Sequence, residues 1–234
     1  MGSLPENLVR SLKQGWAWAL DYAYVAFWQV RGHILRGDAA RQLSGDKVPV
    51  ILLPGIYEPW QFMHPVASHL HAAGHPVHAV TALGYNRGSV SAMAELVAQY
   101  LRERNLTDVV LVAHSKGGLI GKYVMTLPES APRVRQLIAV NSPFSGSVYA
   151  MFALLPSLRA FSPRNRTLNA LRANLAVNSR ITSIYGTFDP HIPGGSELVG
   201  ATNVQLDVMG HFRILGDKRL LEAIDAAIAV HGSD

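Results

Sequence analysis

Three residues carry the chemistry of this sequence: a serine, an aspartate and a histidine, in that order, each just past a run of strand-forming residues. Ser115 lies in Ala113-His114-Ser115-Lys116-Gly117, after the aliphatic run 109–112 and before a helical pattern with small residues at Gly118 and Gly121. That pattern predicts a buried strand, a sharp turn and a helix. A serine in such a turn needs small residues two positions before and after it, because strand and returning helix approach closely there, and Ala113 and Gly117 meet that need. Asp189 falls in the loop Gly186-Thr187-Phe188-Asp189-Pro190 after a predicted strand at 180–185, and His211 stands at the exit of another at 203–208.

Serine is a weak nucleophile at neutral pH, so it needs a neighbouring base, and that base needs a group to orient it. His211 and Asp189 suit those two roles. Each of the three positions alone has an ordinary structural explanation; their joint agreement in order and placement is what points to acyl transfer. Glu197, deeper in the same loop, is the alternative acid. Asp207 sits inside its strand and reads as a surface or ion-paired residue.

Other clusters carry less. His64, His69, His71, His75 and His78 crowd one region, but Gly74 and Pro76 break the helix that would align them and no acidic residue sits among them. They read as surface and strand-edge histidines, and no metal is expected. Arg133, Arg135, Arg159, Arg164, Arg166, Arg172 and Arg180 fall between Glu129 and Asp189 with no acid among them, which reads as a solvated basic face. The functional alternative is attraction of an anionic substrate to the site.

The elements that must position these residues follow an α/β alternation. Apolar runs at 48–53 and 136–140 predict two further buried strands, 76–82 a third, and residues 61–73, 91–104 and the segment after Asp217 predict helices. Residues 144–178 are long enough for a cap and carry Tyr149, Met151, Phe152, Leu154, Leu155, Leu158 and Phe161, suited either to filling the core or to lining a site for acyl chains.

Ahead of the core, Leu8, Leu12, Trp16, Leu20, Ala23, Phe27 and Val30 recur at helical spacing. The simpler reading is a helix packed against the body; the sharper one is a peripheral contact with a lipid or membrane surface, given the flanking Arg10, Lys13, Arg31 and Arg36. Asp21 and Gln29 interrupt the apolar stretch 16–30, which is short for a membrane span. The division expected is an N-terminal helical extension, 1–46, and a core, 47–234, with a cap insertion at 144–178.

A chain of 234 residues, 49% hydrophobic and only 16% charged, can bury one ordinary α/β core. The net charge of +5 comes without a dense basic run or zinc pattern, so nucleic acid is set aside, and the absence of cysteine excludes disulfides and thiolate chemistry. No signal peptide is recognisable, and a cytoplasmic protein, membrane-associated if the helix meets lipid, is the expectation.

The Ala113-His114-Ser115-Lys116-Gly117-Gly118 turn, with residues 49–56, Thr182-Ser183-Ile184-Tyr185, Asn203-Val204-Gln205 and Gly210-His211, resembles the small bacterial lipases of the α/β-hydrolase superfamily across about 47–230. The resemblance implies an α/β-hydrolase fold with a mostly parallel sheet flanked by helices, and cleavage of acyl-ester or lipid substrates without a cofactor. It also implies that Ser115, Asp189 and His211 form the catalytic triad and that the backbone N–H groups of Ile56 and Lys116 form the oxyanion hole. The Lys116 side chain reads as exposed at the helix start, with a direct electrostatic part in the oxyanion hole as the alternative. An acyltransferase or thioesterase uses the same triad, and a non-catalytic binding protein on this fold is the reading of a different class.

Overall fold

The computed structural model describes residues 6–34, 42–146, 162 and 165–230. Six strands form one parallel sheet: β1 (Val50–Leu53), β2 (Val77–Ala79), β3 (Val109–His114), β4 (Val134–Val140), β5 (Ile181–Phe188) and β6 (Thr202–Met209), in the spatial order β2-β1-β3-β4-β5-β6. Parallel neighbours require crossovers, and helices supply them on both faces. Alternation along the strands divides the core. Ile51, Leu53, Leu111, Ala113, Leu137 and Ala139 pack with α3 (Val90–Glu103) and α4 (Lys116–Val124) on one face. Val50, Leu52, Val110, Val112, Ile138 and Val140 pack with α2 (His64–Ala72) and the closing helix, Lys218–Val230, on the other.

The elements match the expected pattern with local changes. A 3-10 turn at Trp60–Met63 precedes α2, β2 keeps only three residues, and β5 and β6 run longer than their apolar cores. Much of the expected cap, 147–161 with 163 and 164, lies outside the described residues. Nearby, Phe144 is buried and α5 (Arg166–Ala173) turns Leu168 and Leu171 into the core. With α1 to α5 so placed, the closing helix is α6, and the main-chain N–H of Arg219 in its first turn bonds the Asp217 carboxylate at 3.0 Å.

The histidine reading needs correction in part. His78 stands on the edge strand β2 as expected, but both it and His75 are buried and serve the fold: His75 bonds the Val48 carbonyl at 2.8 Å and His78 the Tyr100 hydroxyl at 3.1 Å. Among the described residues no group of His, Asp and Glu is arranged to hold a metal. Three arginines of the acid-free stretch lie away from the site, and Arg159 and Arg164 lie outside the described residues. Arg133 bonds the Leu106 carbonyl, Arg135 pairs with Asp108, and Arg180 bonds the Val134 carbonyl, all beside the N-terminal ends of β3, β4 and β5. That is the edge opposite Ser115.

The N-terminal helix α1 (Glu6–Ile34) packs on the body, but not through the stripe its periodicity singles out. Ala17, Asp21 and Trp28 are buried, Tyr24 bonds the Phe62 carbonyl, and Gln29 bonds the Tyr57 carbonyl at 3.0 Å. Leu8, Leu12, Trp16, Leu20, Phe27 and Val30 face outward, Trp16 at 68% exposure. Among the described residues no helix is long and apolar enough to cross a membrane.

Candidate active site

Ser115 follows β3 directly and precedes α4, with φ 51° and ψ −120°. A non-glycine residue at positive φ is strained, and the neighbours show what holds it there. A Cβ on Gly117 would lie 1.9 Å from the Leu53 carbonyl oxygen, and one on Gly118 would lie 2.1 Å from the Ser142 Oγ. Strand and helix therefore meet too closely for side chains, and the serine is pushed up at the C-terminal edge of the sheet.

His211 follows β6 at the same edge. Its Nε2 is 3.0 Å from the Ser115 Oγ and its Nδ1 is 2.7 Å from an oxygen of Asp189, which follows β5. The other Asp189 oxygen accepts the N–H groups of His191 and Ile192 at 2.8 and 3.1 Å. Burial alone would raise the Asp189 pKa, but the His211 ring and these hydrogen bonds outweigh it and hold the carboxyl below its usual range. An ionised Asp189 fixes the proton on Nδ1 and leaves the Nε2 lone pair for the serine hydroxyl. Glu197, the alternative acid, instead accepts a hydrogen bond from the Tyr185 hydroxyl at 2.9 Å.

Two backbone N–H groups matter beside the triad, that of Lys116, next to the serine in sequence, and that of Ile56 in the turn after β1. Lys116 opens α4, so its N–H has no acceptor within the helix. In the turn after β1, Gly55 N–H bonds the Glu58 carboxylate, Tyr57 N–H bonds the Tyr85 carbonyl and Glu58 N–H bonds the Gly55 carbonyl. Among the described residues the Ile56 N–H takes no such partner. The Lys116 side chain departs from expectation. It is buried at 1% exposure, and its ammonium bonds the Asn86 and Gly88 carbonyls at 2.7 and 2.5 Å. Burial pushes its pKa down to about 8. It pins the loop beside the site and is not a solvent-facing group.

A second set of residues, not singled out from the sequence, holds these in register. His114 Nε2 lies 2.9 Å from the His211 carbonyl, so it must donate there, while Nδ1 faces both Glu58 oxygens at 2.9 Å. Burial pushes this imidazole down, but the Glu58 carboxylate outweighs burial and the net shift is upward. A buried His114–Glu58 ion pair thus ties the loop of Ile56 to the backbone of His211. Asn141, at φ 44°, donates to the carbonyls of Gly210 and His211, both at 3.1 Å, and accepts from Gly186 N–H at 3.2 Å. From the opposite side Asp21 of α1 bonds the backbone N–H of His211. The ring of His191 lies 4.9 Å from that of His211, between it and Trp18. The one sequence signal for Asp21 was its charge inside an apolar stretch, and for His114 its place between Ala113 and Ser115.

A parallel sheet of this order, with a serine in a positive-φ turn at the C-terminal edge of its third strand, defines a hydrolase architecture. The chain belongs to the alpha/beta hydrolase family, whose profile matches residues 50–227. Among solved structures it is similar to the Bacillus licheniformis lipase BlEst2 in mature form, at 16% identity and TM-score 0.64 over 79% of this chain and 96% of that one. It is also similar to Aspergillus fumigatus lipase B, at 22% identity and TM-score 0.60 over 78% and 52%. A carboxylesterase of the thaumarchaeon Nitrososphaera gargenis matches at 12% identity and TM-score 0.59 over 84% and 93%. At such identities the likeness is one of fold. A search of curated proteins gives no match.

Proposed function

We propose that the protein is a serine hydrolase of carboxylic esters, lipase- or esterase-like, working through an acyl-enzyme. The observation that carries this reading is a single imidazole within hydrogen-bond reach of both Ser115 and Asp189. His211 takes the Ser115 proton at Nε2 as Oγ attacks the ester carbonyl, and Asp189 stabilises the imidazolium that forms. The Ile56 and Lys116 N–H groups hold the developing oxyanion. The imidazolium then protonates the departing alcohol, and water repeats the sequence to release the acid.

Esters of graded acyl length, assayed with wild type and Ser115→Ala in parallel, test the reaction. Turnover should fall by at least about 10³-fold in the variant. Equal turnover by both proteins would overturn the reading. Added alcohol or thiol acceptors in the same assay separate hydrolysis from acyl transfer through the products formed.

The substrate we favour is lipid-borne, and α1 is the surface that meets it. Support comes from its outward Leu12, Trp16, Phe27 and Val30, from Lys13 and Arg31 on the same helix, and from Trp18 and Tyr22 beside His191 near the triad. Peripheral attachment of an otherwise cytoplasmic protein follows. Co-sedimentation with anionic vesicles should be lost in Trp16→Ser/Phe27→Ser, and wild type that never sediments would remove this part of the reading.

A further inference from the structure

We propose that Asp21 of α1 is a positioning residue for His211, which makes the N-terminal helix a working part of the active site. This inference rests on the serine-hydrolase reading. Asp21 stands 190 residues from His211 in sequence, is fully buried, and directs its carboxylate at the loop after β6. One oxygen accepts the His211 N–H at 2.9 Å; the other accepts the N–H groups of Phe212 and Arg213, each at 2.8 Å. Three successive main-chain donors thus converge on one carboxylate, which satisfies a buried charge that would otherwise be costly.

The chain is shaped to admit that carboxylate. Gly210 has φ +112°, and a Cβ there would lie 2.7 Å from an Asp21 oxygen, so both conformation and space call for glycine. The carbonyl of His211 is held from the sheet side by His114 and Asn141. Its N–H is held from the helix side by Asp21. The histidine backbone is therefore clamped between the sheet edge and α1. Tyr22, the next residue on the helix, has its ring 6.5 Å from that of Phe212 and 6.0 Å from that of His191.

Removing the carboxylate orphans three N–H groups and lets the loop relax, and a displacement of about 1 Å at a reacting group costs on the order of 100-fold in rate. The test compares wild type, Asp21→Ala, Asp21→Asn and, at an exposed α1 position with no part in the site or the lipid-facing stripe, Ser11→Ala on p-nitrophenyl butyrate. Two further readouts are the thermal midpoint and the downfield proton NMR signal of His211 Nδ1–H, assigned by its loss in Asp189→Ala. Asp21→Ala should lower kcat about 10- to 100-fold with KM within about threefold and shift or broaden that signal. Asp21→Asn keeps one acceptor oxygen and should lose less, while Ser11→Ala should match wild type.

An Asp21→Ala enzyme with wild-type kcat and an unmoved proton signal, even with a lowered thermal midpoint, would overturn the proposal. If Asp21→Ala does not fold, Asp21→Asn decides by the same criterion. Wild type without Ser115-dependent turnover would sink the hydrolase reading itself, an outcome separate from an active wild type indifferent to Asp21.

Discussion

Helices α1 and α3 carry apolar residues at much the same spacing and use them in opposite ways. In α3, Val90, Ala94, Val97 and Leu101 fall on one stripe that packs against β1 and β3, with Ser89 capping the first turn through the Ala92 N–H at 3.1 Å. In α1 the corresponding stripe looks outward, and the helix is attached by Ala17, Trp28, Tyr24, Gln29 and the Asp21 carboxylate. Periodicity reveals that a helix has an apolar face but not what covers it. In α3 the sheet covers it. In α1 the body contacts are aromatic and polar, and none of the described residues covers the apolar face.

Substitutions divide along that contrast. The largest effect should come from the buried pair beneath the site: Glu58→Gln leaves His114 without its counter-charge and the Gly55 N–H without its carboxylate, a loss of about 3–5 kcal/mol. Denaturant unfolding measures it. The pair also sets a pH dependence. The His114 pKa is raised on folding, so its contribution is fully present below the unfolded value of about 6.5 and fades as pH rises through the folded value. Stability measured from pH 6 upward should therefore fall more steeply in wild type than in Glu58→Gln; parallel curves would contradict the pairing.

Next comes Leu101→Ala on α3, which removes a fully buried side chain and should cost about 2–5 kcal/mol. Lys116→Met strands the Asn86 and Gly88 carbonyls and should cost about 1–3 kcal/mol. Leu12→Ala on α1 should change stability by less than about 0.5 kcal/mol, because the side chain is already 59% exposed. A Leu12 loss as large as that of Leu101 would erase the distinction between the two helices.

The sheet and its edge were legible because several signals coincide there. Continuous β-branched and aliphatic runs fix β1, β3 and β4 as strands buried on both faces, the alternating run of β6 marks a half-exposed edge strand, and parallel order brings all their C-terminal ends to one edge. Ser115, Asp189 and His211 were found from that placement. The groups that brace them were not. Asp21 reads as a break in an apolar helix, His114 as a neighbour of the serine, and Glu58 and Asn141 as loop and strand-end residues; only tertiary contact makes them partners. The buried Lys116 was misread for a related reason: a helix's first residue is usually solvated, and nothing local shows that residues 86–88 fold over it.

The most direct measurement of the central claim is covalent. Intact-mass and peptide mass spectrometry after exposure to a fluorophosphonate should show one adduct, on Ser115, formed rapidly in wild type and slowed at least about 10³-fold in His211→Ala. Wild type left unmodified, or modified on another residue while Ser115 stays free, would contradict it.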